Sequence, residues 1–280
     1  MPDEPTTESA TEAATEPAGA TRFDGADLGR AQFEATNLSG ARFEASDLSH
    51  AVFRDCDLRG VRIVDSWLTD IEISGLLGRT VVNDVDVTAV IEAELDRRAP
   101  ERVPAREAET ADELRAAWQQ IQDSWQATME RARRLPQSAW YERVNGEWSL
   151  LETLRHLVFV VDAWLSRPVL DEPAPFHHLG LTHSSHPPEA AAALGIDLAA
   201  RPTLDEVVAV VTDRSALMDR VLDGLTDADT GRLCLRSPAP GYPEEPRTVR
   251  ACIGVVLREH AEHLRYARRD LAELEAGRAG

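Results

Sequence analysis

Three side chains have the types and spacing to hold one divalent ion: His156, Glu259 and His263. Glu259 and His263 stand four residues apart in the run Val255 to Tyr266. On a helix they project from neighbouring turns of one face, so a carboxylate and an imidazole reach the same point. His156 lies in an otherwise apolar stretch, Leu154 to Val161. If its helix neighbours the other, three donors converge and leave a coordination position open, the arrangement of catalytic rather than structural sites. On a helical wheel His263 falls in the core stripe with Val249, Val256 and Ala267, with Glu259 about 40° to one side and His260 about 60° to the other. His260 therefore stands as a substitute for Glu259, since donors three residues apart also chelate. On spacing alone a plainer reading stays open, in which His156 and His263 are hydrogen-bonded core histidines and the acids solvate the helix edge. A second group, His177, His178, His183 and His186, lies in the run Phe176 to His186. Such a run could bind metal, fold over a site as a lid, or face water as an irregular connection.

Positioning these residues takes four helices. Thr110-Ala111-Asp112-Glu113, Ser149-Leu150-Leu151-Glu152 and Thr203-Leu204-Asp205-Glu206 are capping boxes that open the first three. Leu114, Trp118, Ile121, Trp125 and Thr128 form the apolar stripe of the first. Pro136 closes it, Pro168 ends the helix of His156, and Gly224 ends the third. The fourth starts after Pro246 and Thr248 and meets no Gly or Pro until Gly277. The pattern predicts an up-down bundle with two long connections. Trp140, Tyr141 and Trp148 flank an Asn145-Gly146 turn and are expected to cover one end.

The 280 residues are long for one domain, and the formal charge of −19 argues against electrostatic binding to nucleic acid or to an anionic membrane. No apolar run approaches the length of a membrane span. Met1 to Ala20 has neither a secretory nor a transit pattern and reads as a disordered acidic tail. Three cysteines, Cys56, Cys234 and Cys252, without metal-site spacing favour a reducing compartment, and the expectation is a cytoplasmic protein. No nucleophile–base pair, phosphate loop or dinucleotide fingerprint is present.

Before the helices, large apolar residues recur every five positions without a slip: Phe23, Leu28, Phe33, Leu38, Phe43, Leu48, Phe53, Leu58, Ile63, Leu68 and Ile73. Neither the helical nor the strand period produces this. The stretch resembles the pentapeptide repeat family, which implies a short right-handed quadrilateral β-helix of slightly under three coils. The segment Val81 to Val87 and a helix from about Thr88 to Arg98 are expected to cap it. The expected division is residues 1–20 tail, 21–100 repeat with helical cap, 101–109 linker and 110–276 bundle.

Trp148, Ser149, Glu152 and His156, together with Glu259-His260-Ala261-Glu262-His263, make the second part resemble the DinB superfamily, which is a four-helix bundle. The superfamily includes metal-dependent thiol S-transferases and mycothiol-dependent maleylpyruvate isomerases, and the Glu-x-x-x-His form matches the isomerase branch. The resemblance implies His156, Glu259 and His263 as ligands of a divalent metal, zinc first, with nickel, manganese or iron as alternatives. It implies a low-molecular-weight thiol, of the mycothiol type, as co-substrate with a small electrophile. The other expectation is an interaction protein that uses the repeat to dock or to form a homodimer. DNA mimicry ranks below both, because the rod is short and Arg22, Arg30, Arg42, Arg54, Arg59 and Arg62 dilute its acids.

Overall fold

The computed structural model describes residues 21–183 and 186–279. The predicted tail, 1–20, lies outside them. The chain divides into two units, Met1–Arg54 and Asp55–Gly280.

In the first unit the five-residue period becomes a five-residue turn. Gly25, Arg30, Ala35, Gly40, Ala45 and His50 all take positive φ, one left-handed corner per pentapeptide. Asp27, Asn37 and Asp47 accept the backbone N–H two residues on, at 3.0, 3.0 and 2.9 Å, the local bond that lets Asx residues hold a turn. Leu28, Leu38 and Leu48 carbonyls each accept the N–H three residues later. No strand forms among the described residues of this unit, and its apolar centres remain 44–63% exposed. The expected quadrilateral β-helix is not seen among the described residues, which carry a left-handed corner every five residues without stacked sheets. The physical reason lies in solenoids themselves, where each coil is held only by its neighbours and a stub of under three coils has few.

The second unit opens with the same turn, with positive φ at Asp55, Gly60, Asp65, Asp70 and Gly75. A two-residue hairpin follows, β1 (Val81–Val82) paired antiparallel with β2 (Val85–Asp86). Asn83 and Asp84 between them have φ of 45° and 66°, as a twist-matched tight turn requires. Helices α1 (Thr88–Arg98) and α2 (Arg102–Glu107) come next. The bundle helices are α3 (Ala111–Ala132), α4 (Leu150–Val161), α6 (Leu204–Gly224) and α8 (Val249–Ala279). Short α5 (Pro188–Ala193) and α7 (Asp227–Thr230) lie in the connections, and β3 (Leu233–Cys234) pairs antiparallel with β4 (Arg247–Thr248) directly before α8.

All three predicted capping boxes form, with both bonds present in each. The order around the bundle is not sequential. α3 packs against α8 and α6, and α4 packs against α6 and α8, so α3 and α4 occupy opposite corners. A simple up-down ring would place consecutive helices side by side. Here the long connections allow the chain to cross the bundle, and the crossing brings α4 against α8, as the site requires. Every residue of α4 except Glu152 is buried. Beyond Val161 the helix widens into one π-helical turn, Asp162–Ser166, a local expansion often found at functional positions.

Ionic contacts fasten α1 and α2 to α8. Arg102, buried, bonds Asp96 at 2.7 Å, Glu92 at 2.9 Å and Glu262. Glu101, also buried, accepts from Arg268 at 2.6 Å.

Candidate metal centre

His156, Glu259 and His263 converge. Their ligand-type atoms all lie within 4.8 Å of one another, in the one such group of three among the described residues. Glu259 Oε2 is 3.5 Å from His156 Nε2 and 3.4 Å from His263 Nε2. Two donors bonded at about 2.0–2.1 Å to a tetrahedral ion are separated by about 3.3 Å, so the two edges at Glu259 fit such an ion. The set of two imidazole nitrogens and one carboxylate oxygen is also that of open zinc-type centres.

Each donor is aimed by its surroundings. His156 is 6% exposed, and its Nδ1 donates to the Leu181 carbonyl at 2.9 Å. That bond puts the proton on Nδ1 and leaves the Nε2 lone pair facing Glu259. The carbonyl is itself held in place. Leu181 N–H donates to the Arg155 carbonyl at 3.1 Å. The buried Arg155 guanidinium gathers the carbonyls of Leu179 and Asp197 at 2.9 Å, Ala200 at 3.3 Å and Gly180 at 3.4 Å. Arg155 is the residue that sequence reasoning missed, although a charge in the apolar run Leu154–Val161 was a signal in itself. Trp148 forms one wall, its ring stacked on His263 at 6.0 Å and 15° and tilted over His156 at 4.9 Å.

Burial pushes the Glu259 carboxyl up, but the adjoining His156 and His263 imidazoles outweigh it and hold the group well below the usual carboxylate range. Burial lowers His263, so its imidazole favours the neutral form, the form that binds metal. Glu259 keeps 40% of its side-chain exposure, which leaves one side of the triangle open.

His260 takes no part. Its Nδ1 donates to the Val256 carbonyl at 2.9 Å, and its ring meets Trp118 edge-on at 5.0 Å. Burial lowers its pKa to about 4. The wheel left Glu259 and His260 as alternatives, and tryptophan packing on the α3 side of α8 decides between them.

The histidine-rich connection divides in two. His177 N–H donates to Asp162 at 2.8 Å, while the exposed His178 lies against His177 at 4.5 Å. His183, half-buried, and His186, buried, follow Leu181 in the chain, and His183 Nε2 is 3.1 Å from the Tyr242 hydroxyl. Of the four, only His178 faces water. Asp162, on the π turn, is fully buried and bonds Arg214 at 2.5 Å. Burial raises its carboxyl to about 6 despite that partner.

No helix is long and apolar enough to cross a membrane among the described residues. No curated protein and no solved structure matches the chain. The family model for pentapeptide repeats matches in eight copies over residues 26–63 and 36–71. The DinB superfamily model matches residues 120–267, more than half of the chain and a span that contains all three triad residues. With the bundle, the His/Glu/His cluster and that match together, the chain belongs to the DinB superfamily and carries pentapeptide repeats ahead of its bundle.

Proposed function

We propose that His156, Glu259 and His263 bind one divalent ion, zinc by preference, and that the site transfers or isomerises through a low-molecular-weight thiol acting on a small electrophile. The reading is carried by the triangle itself, with edges of 3.4 and 3.5 Å and an open side at Glu259. The ion when bound would supply a Lewis acid that lowers the pKa of a thiol. The chain's own part is orientation and exclusion of water. Leu181 and Arg155 fix the His156 tautomer, Trp148 covers one face, and burial keeps His263 neutral. Thioether formation between low-molecular-weight thiols and small electrophiles tests the reading on zinc-loaded protein, beside Glu259→Gln. Turnover by the wild type alone is expected. No turnover with any pair at full metal content would overturn the catalytic half.

A second reading concerns the repeat and is favoured by its exposed apolar centres. Phe23, Phe33, Phe43 and Phe53 are all more than half exposed, an apolar ladder of the kind that marks binding surfaces. We read the repeat as a docking or homodimerising module whose left-handed corners would close into the quadrilateral β-helix once that ladder is covered. Sedimentation equilibrium of the full chain beside Phe33→Glu checks this reading. A monomer at all concentrations would remove the homodimer.

A further inference from the structure

Arg155 and Asp162 lie close to two helical turns apart on α4 and its π turn, so they share one face, with Phe159 between them. All three are buried, Asp162 completely, and all three hold one stretch of chain, Phe176 to Leu181. The Asp162 carboxylate accepts the His177 N–H at 2.8 Å. Phe159 stacks on Phe176 at 5.9 Å and 22°. Arg155 takes the carbonyls of Leu179 and Gly180. The division suits the charges, since the anion gathers an N–H and the cation gathers C=O groups. Between these anchors the chain turns tightly. Gly180 N–H donates to the His177 carbonyl at 2.9 Å, and a Cβ at Gly180 would meet that oxygen at 3.1 Å and Phe159 Cβ at 3.6 Å. Burial, with His178 and Arg214 beside it, lowers the His177 pKa, and the neutral ring accepts the Leu179 N–H on Nδ1 at 3.1 Å. The stretch ends at Leu181, whose carbonyl accepts from His156 Nδ1 at 2.9 Å.

We propose that Asp162 is a positioning residue of the metal centre, anchoring this strap at His177 so that the Leu181 carbonyl meets His156 and keeps its proton on Nδ1. The proposal rests on the reading of His156 as a ligand. Asp162 is not itself a ligand and acts only through the chain between His177 and Leu181. Its carboxylate is used on both sides. Arg214, from α6, donates to Oδ1 at 2.5 Å, which fixes the orientation of the group and leaves Oδ2 for the strap. The π turn starts at the same residue, with Arg167 N–H reaching back five positions to the Asp162 carbonyl at 3.0 Å. Were the Leu181 carbonyl to move away, the neutral imidazole of His156 could carry its proton on Nε2 instead. That atom faces Glu259, and a protonated Nε2 has no lone pair for an ion.

The test separates the strap bond from the ion pair by working in an Arg214→Met background, where the charge partner is gone. Asp162→Asn in that background keeps an amide oxygen for the His177 N–H, and Asp162→Ala removes it. Long-range proton–nitrogen NMR of the metal-free, full-length protein reads the histidine tautomers, at a pH well above the Asp162 value of about 6. The His156 signals are assigned through His156→Gln. Wild type and Asp162→Asn are expected to hold His156 in the Nδ1–H tautomer. Asp162→Ala is expected to populate both tautomers and to bind cobalt about 10-fold more weakly than Asp162→Asn. A purely structural role would lower the melting temperature without moving the tautomer. An Nε2–H tautomer in the wild type would overturn the proposal, as would Asp162→Asn and Asp162→Ala that agree in tautomer and affinity. If the double variants fail to fold, amide exchange in the wild type decides. A His177 N–H as protected as those of α4 supports the anchor, and one that exchanges like an exposed loop amide overturns it. Absence of cobalt binding by the wild type would instead sink the triad itself, whatever tautomer the metal-free protein shows.

Discussion

The imidazole of His156 offers Nε2 to an ion only while Nδ1 keeps its proton, and the Leu181 carbonyl is the acceptor that keeps it there. Arg155 orders that carbonyl from within the same helix. Arg155→Met is therefore expected to weaken metal affinity by about 10- to 100-fold, measured by competition with a chromophoric chelator. Unchanged affinity would show that the carbonyl needs no such support. His260 supplies a second prediction at this scale. Its pKa falls from 6.5 unfolded to about 4 folded because burial disfavours the charge. Below 6.5 the unfolded chain binds the extra proton, so the stability from keeping His260 neutral is present at pH 7. It is lost as pH falls from 6.5 toward 4, about 3 kcal/mol in all. Urea midpoints across that window should show the loss in wild type and a shallower slope in His260→Gln. Spacing put Glu259 and His263 on one face, and the resemblance added His156; the structure brings the three together. Spacing did not choose Glu259 over His260, because the two flank the same stripe and it is packing of Trp118 and Trp125 on His260 that turns it away from the cluster.

Caps and breakers fixed the helices at the scale of elements. Thr110, Ser149 and Thr203 start α3, α4 and α6 as their capping boxes require, and α8 alone runs past its expected stop, through Gly277. Replacing Ser149 by Ala should cost about 1 kcal/mol, read from chemical denaturation, and because α4 carries His156 the change should also loosen the metal. What the sequence could not give was the order of the helices around the bundle. Long connections place no limit on which helices become neighbours, and the contact of α4 with α8 depends on that order. The π turn after α4 was equally hidden, since nothing in Asp162-Ala163-Trp164-Leu165-Ser166 departs from an ordinary helix. It buries Asp162 against Arg214. Asp162→Ala leaves that arginine without its buried partner and should cost about 3–5 kcal/mol, whereas a loss under 1 kcal/mol would mean the pair is structurally idle.

For the molecule as a whole, the repeat and the bundle differ in how much their sequences determine. A period of five over eleven centres specifies one corner per pentapeptide, and the left-handed residues follow it without exception from Gly25 to Gly75. Closure into stacked coils is a collective property that the period does not contain, which is why the centres stay open. Within the second unit, α1 and α2 are tied to α8 through Arg102 and Glu101, beside the ligand segment. Arg102→Ala should lower the stability of the unit by about 3 kcal/mol and displace Glu262, the residue next to His263. A thermal midpoint equal to wild type would contradict that link.

Metal content tests the central claim most directly. Protein purified without a histidine tag would be analysed by elemental mass spectrometry, wild type beside His156→Ala and His263→Ala. About one divalent ion per chain in the wild type and none in either variant is the expected result for a three-ligand site. An ion retained in both variants, or absent from a gently purified wild type, would contradict it.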